Sequence, residues 1–268
     1  MSHVIKSPTA NTMKHWSVTP LIFAILVPSF AEEKSPPART HYEGRRIAHT
    51  MHYKRAPWLM RESRQREEDC TTLLKELQVK PGQVICDLGC GNGFYSLKLA
   101  KLVGDKGKIV GVDIQKEMLD MLEKNAKGGG YTVERVKRGR PTAKGQARFE
   151  LILGAYHDPY LAPDSLDMII LVDVYHEFSH PVLMLKSMRS ALKKEGVLVL
   201  AEFRMEDPKV PILRLHKMTK DQIMKEIPQN GYKLVREFNG LPWQHLMFFQ
   251  RNDGPSPAIK PEPWKKAN

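Results

Sequence analysis

The chain is short of cysteine. Only Cys70, Cys86 and Cys90 occur among its 268 residues. Three thiols cannot all pair within one chain and none has zinc-type spacing, so a disulfide scaffold and a structural zinc site are excluded. Long apolar runs are also missing. The longest, Val18–Ala31, has 14 residues broken by Pro20 and Pro28, whereas a spanning helix needs about 20. Acidic residues are in deficit, 30 against 42 lysines and arginines, for a net charge of +12. That excess admits nucleic acid, an anionic membrane surface or an acidic substrate and does not choose among them. At 41% hydrophobic and 27% charged residues, the composition is that of a globular protein of one to two domains, neither disordered nor fibrous.

The apolar run has the layout of a secretory signal peptide. Lys14 and His15 precede it, Ser29-Phe30-Ala31 offers small residues at the −3 and −1 positions, and Glu32-Glu33 and Pro36-Pro37 follow. Met13 makes a more typical start for such a signal than Met1. The expectation is export to a bacterial periplasm or beyond, with residues 1–31 as leader and an uncleaved anchor as the alternative. Residues 32–78 then read as a linker followed by a helical cap segment, in which Leu73, Leu74 and Leu77 share a helical face.

From residue 79 to 251 the pattern alternates. Strands are expected at 84–88, 108–113, 149–153, 166–172 and 197–203, with helices at 93–102, 116–125 and 181–194 between them. That alternation predicts an α/β fold with a parallel sheet covered on both faces. Thr219-Lys-Asp-Gln222 is a capping-box pattern opening a short helix, and strands at 232–238 and 245–250 lie close enough to be antiparallel. The last segment, 252–268, is proline-rich and reads as disordered.

Chemistry begins where the first strand meets its helix, at Asp87-Leu88-Gly89-Cys90-Gly91-Asn92-Gly93. A glycine-rich turn there lets a ligand approach the backbone, and the helix N-terminus offers free N–H groups. The spacing is G-x-G-x-G, not the G-x-G-x-x-G of a dinucleotide site. A second acid, Asp113, ends the next strand, where a carboxylate can accept hydrogen bonds from both hydroxyls of a ribose. An NAD-binding domain, or a decayed site that binds nothing, is the alternative reading of such a turn. Cys86 and Cys90 read as packing residues.

This set resembles the class I S-adenosylmethionine (SAM)-dependent methyltransferases over about residues 80–250. The resemblance implies a Rossmann-like, mostly parallel seven-stranded sheet with helices on both faces and a C-terminal antiparallel hairpin. It implies SAM as cofactor, with Asp87, Gly89, Cys90, Gly91 and Gly93 along its methionine part and Asp113 with Ile114 at its ribose. It also puts Asp173, at the end of the fourth strand, among the cofactor residues. Many members place an acid near the adenine in a Gly-Asp-Ala-like segment. Here that segment reads Gly154-Ala155-Tyr156-His157-Asp158-Pro159, and Asp158 is the substitute candidate. Gly44–Ile47, Trp58–Arg61, Asp158-Pro159 and Tyr175-His176 are similar to a little-characterised exported bacterial branch.

Ligands in open α/β sheets sit beyond the carboxyl ends of the strands, so Asp173-Val174-Tyr175-His176-Glu177 is expected to face the transferred methyl group. His176 is a candidate general base for an O–H or N–H acceptor, and Tyr175 a candidate catalytic or pocket residue. The alternative for both is packing of the next helix. His176-Glu177-Phe178-Ser179-His180 also satisfies H-E-x-x-H. That zinc pattern needs both histidines on one face of a continuous helix, and Pro181 disfavours helical geometry at His180; no metal is expected from it. Lys127–Arg148 carries seven cations against Glu134, and reads as a solvated loop or a clamp for an anionic partner. The reading is a SAM-dependent methyltransferase with a small-molecule or lipid-like acceptor. The alternatives are a SAM-binding protein without turnover and a nucleic-acid methyltransferase using the basic loop.

Overall fold

The computed structural model describes residues 1–3, 35–136 and 147–264. The leader-like run and the centre of the basic insertion lie outside the described residues. Everything below belongs to the unit Ser35–Asn268.

In chain order the elements are β1 (His41–Tyr42), β2 (Arg45–Arg46), α1 (Arg64–Glu68), α2 (Cys70–Glu76), β3 (Val84–Leu88), α3 (Phe94–Val103), β4 (Lys108–Asp113), α4 (Lys116–Gly128), β5 (Val133–Arg135), β6 (Phe149–Leu153), β7 (Leu166–Val172), α5 (Pro181–Ala191), β8 (Leu192–Phe203), α6 (Lys220–Glu226), β9 (Tyr232–Phe238) and β10 (Gln244–Arg251). Short 3-10 turns cover Tyr53–Met60, Tyr175–Glu177, Arg214–His216 and Pro228–Asn230. β1 and β2 form a separate two-stranded ribbon, and the other strands make one sheet in the order β5-β6-β4-β3-β7-β8-β10-β9. β10 runs antiparallel to both β8 and β9, while the pairings from β5 to β8 are parallel.

Period-2 alternation sorts the strand side chains between two apolar layers. Leu198, Leu200, Met247 and Phe249 pack on the face covered by Leu185 and Met188 of α5 and Ile223 of α6. Val199, Ala201, Leu246 and Phe248 pack on the opposite face with Leu73 of α2, Leu99 of α3 and Leu122 of α4. Both faces are therefore dry, as a central parallel sheet requires.

Among the described residues the large sheet has eight strands, one more than the seven expected. The additional one is the three-residue edge strand β5, paired with β6 from Val133↔Phe149 to Arg135↔Leu151. It lies inside the basic insertion that the sequence reads as loop. Three of the insertion's cations already have acidic partners: Lys127 and Arg135 pair with Glu123, and Arg148 with Asp105. The helix expected to reach Lys194 stops at Ala191, because Leu192 joins the sheet opposite Leu166. One arm of the expected capping box is present: Thr219 Oγ1 accepts from Gln222 N at 3.0 Å, while the Gln222 amide donates to Glu43 O and Glu226 Oε1.

Residues 252–264, the described part of the proline-rich tail, lie along the body. Ile259 N donates to Leu234 O on the edge strand β9, Lys220 Nζ donates to Glu262 O, and the Arg204 guanidinium stacks on Trp264. An edge strand carries unpaired backbone groups, and the tail satisfies one of them.

β3 leaves the sheet between β4 on one side and β7 on the other. This is a topological switch point, where the following segments diverge and open a crevice beyond the strand ends.

Candidate active site

The crevice holds a cavity of about 850 Å³, within the size range of small-molecule and cofactor sites. Its floor is the turn after β3. Gly89 and Gly91 line it, with φ of +75° and +52°, in the left-handed region that disfavours side chains. A Cβ at Gly91 would stand 2.7 Å from Leu59 Cδ1, and one at Gly89 would stand 2.6 Å from Val174 Cγ2. The backbone is thus left bare where a ligand must come close.

Asp113, at the end of β4, faces this turn and lines the cavity. Its Oδ2 accepts from Gly91 N at 3.0 Å and its Oδ1 from Gln115 N at 2.9 Å. Burial pushes its pKa up to about 6 despite these bonds. Ile114 lines the cavity beside it. Asp173, just past β7, lines the next stretch in a left-handed conformation, φ +57°. Gln244 Nε2 donates to its Oδ2 at 2.8 Å, while its Oδ1 is buried with no hydrogen-bond partner among the described residues. Burial, with the negative charges of Glu68 and Glu202 nearby, raises its pKa well above the ordinary carboxylate range. A bare glycine turn, a two-oxygen acceptor at Asp113 and an unpartnered buried oxygen at Asp173 fit a ligand that brings hydroxyls and positive charge.

Another part of the lining is built around His176, which is 2% exposed. Its Nδ1 pairs with Glu202 Oε2 at 2.7 Å, and its Nε2 meets His216 Nδ1 at 3.1 Å. Burial works against a charged imidazole here, but the Glu202 carboxylate outweighs it and raises the His176 pKa. Glu177 stands beside the pair, accepts from Met51 N, and has its pKa pushed up to about 7 by burial. His216 is shifted the other way, downward, by burial and then by His176. Apolar residues of the lining include Phe178, Met184, Pro211, Ile212 and Leu213.

The outer wall comes from residues 49–59, ahead of the first sheet strand. Gln115 clasps it by accepting from Tyr53 N and donating to Met51 O. Arg64 Nη1 donates to Leu59 O, and Arg61 stacks 3.7 Å above the Trp58 ring. Glu68, fully buried, holds both arginines.

The expected site residues divide accordingly. Gly89, Gly91, Asp113, Ile114, Asp173 and His176 share the cavity. Asp87, Cys90, Gly93, Asp158 and Tyr175 do not line it. Asp87 accepts from Ser96 Oγ behind the turn, and burial first raises its pKa to about 6. Cys90 is packed inward, its backbone N donating to Val112 O. Gly93 caps α3, where a Cβ would stand 2.3 Å from Leu122 Cδ1. Asp158 turns back on its own loop and accepts from Tyr160 N, leaving Gly154, Ala155 and Tyr156 to line the cavity. Tyr175 is fully buried and donates its hydroxyl to Glu226 Oε2 at 2.8 Å, so it braces the underlying layer. The H-E-x-x-H pattern separates: His176 and Glu177 lie in a 3-10 turn, whereas His180 caps α5 and bonds Pro36 O.

Glu202 and His216 went unread in the sequence. Glu202 carried a signal, a single acid inside the apolar run Val197–Phe203, since a buried charge in a strand requires a partner. His216 carried none; the chain between β8 and α6 brings it there.

Comparison with known proteins agrees with this architecture. A family model described as a methyltransferase domain matches residues 79–247. A demethylmenaquinone methyltransferase from Lactobacillus johnsonii is 30% identical over 142 residues, 53% of this chain and 51% of that protein. Another from Bacillus velezensis is 29% identical over 126 residues, 47% of this chain and 48% of that protein. The chain thus spans about half the length of these curated relatives. Among solved structures, a SAM-dependent methyltransferase from Aquifex aeolicus superposes with a TM-score of 0.65 at 20% identity, covering 75% of this chain and all of that one. At that identity the likeness speaks for the fold.

Proposed function

Because the chain belongs to the methyltransferase-domain family and has the class I SAM-dependent fold, we propose that it methylates a small, largely apolar acceptor. The observation that carries this reading is the mixed lining of the cavity. Gly89, Gly91, Asp113 and Asp173 share it with His176, Glu177, His216 and the apolar side chains of Phe178, Met184 and Ile212.

The cofactor supplies an electrophilic methyl group on a sulfonium. The chain's residues would do the rest. Gly89 and Gly91 would let the methionine part lie against the backbone, Asp113 would accept from the ribose hydroxyls, and Asp173 would offer its Oδ1 to the cofactor. Phe178, Met184 and Ile212 exclude water and align the acceptor for in-line displacement, a positioning effect large enough to supply much of the rate. His176, oriented by Glu202, stands where an acceptor proton is released. The demethylmenaquinone methyltransferases among its relatives support an acceptor of this apolar kind.

The test is S-adenosylhomocysteine formation with purified protein, SAM and a panel of quinols, phenols and other apolar hydroxylated compounds, with RNA and DNA in parallel. Turnover with a member of the small-molecule panel, abolished in His176→Ala at unchanged SAM affinity, is expected. Turnover on nucleic acid alone, or SAM binding with no turnover on any acceptor, refutes the reading.

A further inference from the structure

We propose that His176, Glu177 and His216 form a binding site for a divalent transition-metal ion of the zinc class, with its open coordination position facing the cavity. Three donor atoms converge there. His176 Nε2 and His216 Nδ1 are 3.1 Å apart, and Glu177 Oε1 lies 3.9 Å from the first and 4.0 Å from the second. Three atoms so spaced share a point about 2.2 Å from each, close to the bonds of roughly 2.0–2.2 Å that zinc makes to imidazole nitrogen and carboxylate oxygen. The donor atoms need only a small inward movement, and Glu177 and His216 sit at a partly open cavity wall that permits it.

The surroundings are those of a metal ligand set. A metal-binding histidine generally donates its other ring N–H to a carboxylate, which fixes the tautomer and raises ligand basicity. His176 has this arrangement, with Nδ1 on Glu202 Oε2. Glu202 is fully buried and also accepts from Tyr175 N, so its orientation is set by the backbone. Glu177 and Glu202 together balance the charge of a dication. The rings of His176 and His216 stand nearly perpendicular, 89° apart, so their nitrogens approach a common centre without stacking. Two imidazoles and one carboxylate with a free position is a donor set suited to zinc and its neighbours, and one that keeps room for an exogenous oxygen. On the methyltransferase reading above, that position takes an acceptor bearing a hydroxyl or two neighbouring oxygens, and with the ion bound His176 serves as its ligand through Nε2 instead of accepting the acceptor's proton.

This site is not the one the H-E-x-x-H spacing suggests. It uses the first two residues of that pattern and replaces its second histidine with His216, 36 residues further along the chain.

Cobalt(II) and zinc titrations of the full chain, followed by calorimetry and by the visible absorption of cobalt(II), test the proposal. One ion per wild-type chain is expected. His216→Ala changes a half-exposed residue and should weaken binding at least about tenfold, and Glu202→Gln by about 10–100-fold. His180→Ala should bind like wild type. SAM affinity measured without added metal should be the same in wild type and His216→Ala, so loss of the metal site and loss of the cofactor site are read separately. No stoichiometric metal in the wild type, or wild-type affinity in His216→Ala, overturns the proposal, as does loss of the ion in His180→Ala.

Discussion

Replacing Asp113 by asparagine should separate stability from cofactor affinity. The carboxylate is 7% exposed, and burial raises its pKa to about 6 from the ordinary aspartate value of 3.8. A folded-state pKa above the unfolded one means that the unfolded chain ionises first as pH rises. The fold loses free energy between about pH 4 and pH 6, and above that range carries the full penalty. At about 1.4 kcal/mol per unit, the ionised carboxylate disfavours the fold by about 3 kcal/mol at pH 7. Asparagine removes that charge. It keeps one oxygen for either Gly91 N or Gln115 N and leaves the other amide without its acceptor, a loss of about 1.5–3 kcal/mol for a hydrogen bond to a charged group. Asp113→Asn should therefore be about as stable as wild type at pH 7 or slightly more so, and less stable near pH 4, where the wild-type penalty has vanished. SAM affinity should move the other way. Losing one charged acceptor to a ribose hydroxyl is worth at least about 1.4 kcal/mol, or tenfold. Urea denaturation at pH 4 and pH 7, with calorimetric SAM titration at pH 7, measures both. Unchanged SAM affinity in the folded variant refutes the site, and a loss above about 2 kcal/mol at pH 7 refutes the burial argument.

Other substitutions probe the remaining assignments. Gly91→Val combines a strained φ of +52° with a Cβ 2.7 Å from Leu59; calorimetry should find no SAM binding in protein whose circular dichroism is that of wild type. Tyr175→Phe removes a buried donor to Glu226 but touches no cavity wall. It should lower unfolding free energy by about 1–3 kcal/mol and leave SAM affinity within twofold, and a selective loss of turnover would return Tyr175 to the catalytic set. For the leader-like segment, intact-mass measurement on protein expressed in a bacterium with an active export system should give a mature chain beginning near Glu32. Retention of residues 13–31 on a soluble cytoplasmic form contradicts export.

The glycine turn and its neighbouring acid were legible because their pattern is local. The turn from Gly89 to Gly93 and the acid at Asp113 are fixed by a strand end and its neighbour in parallel register, Leu88↔Val112. The cluster around His176 was legible only at His176 and Glu177. Glu202 sits on the neighbouring strand and His216 on a connection, so their meeting is a property of packing rather than of spacing. Asp87 shows the converse. Its place ahead of the glycines marks it as a ligand residue, yet the side chain turns to Ser96 at the start of α3 and holds the turn from behind. Proline content in the tail reports what a segment cannot form by itself, and it does not reveal an edge strand that leaves Leu234 O to be filled.

The clasped wall of residues 49–59 lies upstream of the domain that relatives share, which begins at residue 79. One wall of the cavity is therefore carried by chain outside the matched domain and held to it through Gln115, Glu177 and the Arg61–Glu68–Arg64 cluster. The same wall reaches the glycine turn, where Leu59 stands against Gly91 and Ala56 O accepts from Asn92 Nδ2. A chimera that exchanges this short segment between relatives thus tests whether acceptor preference and cofactor affinity change together.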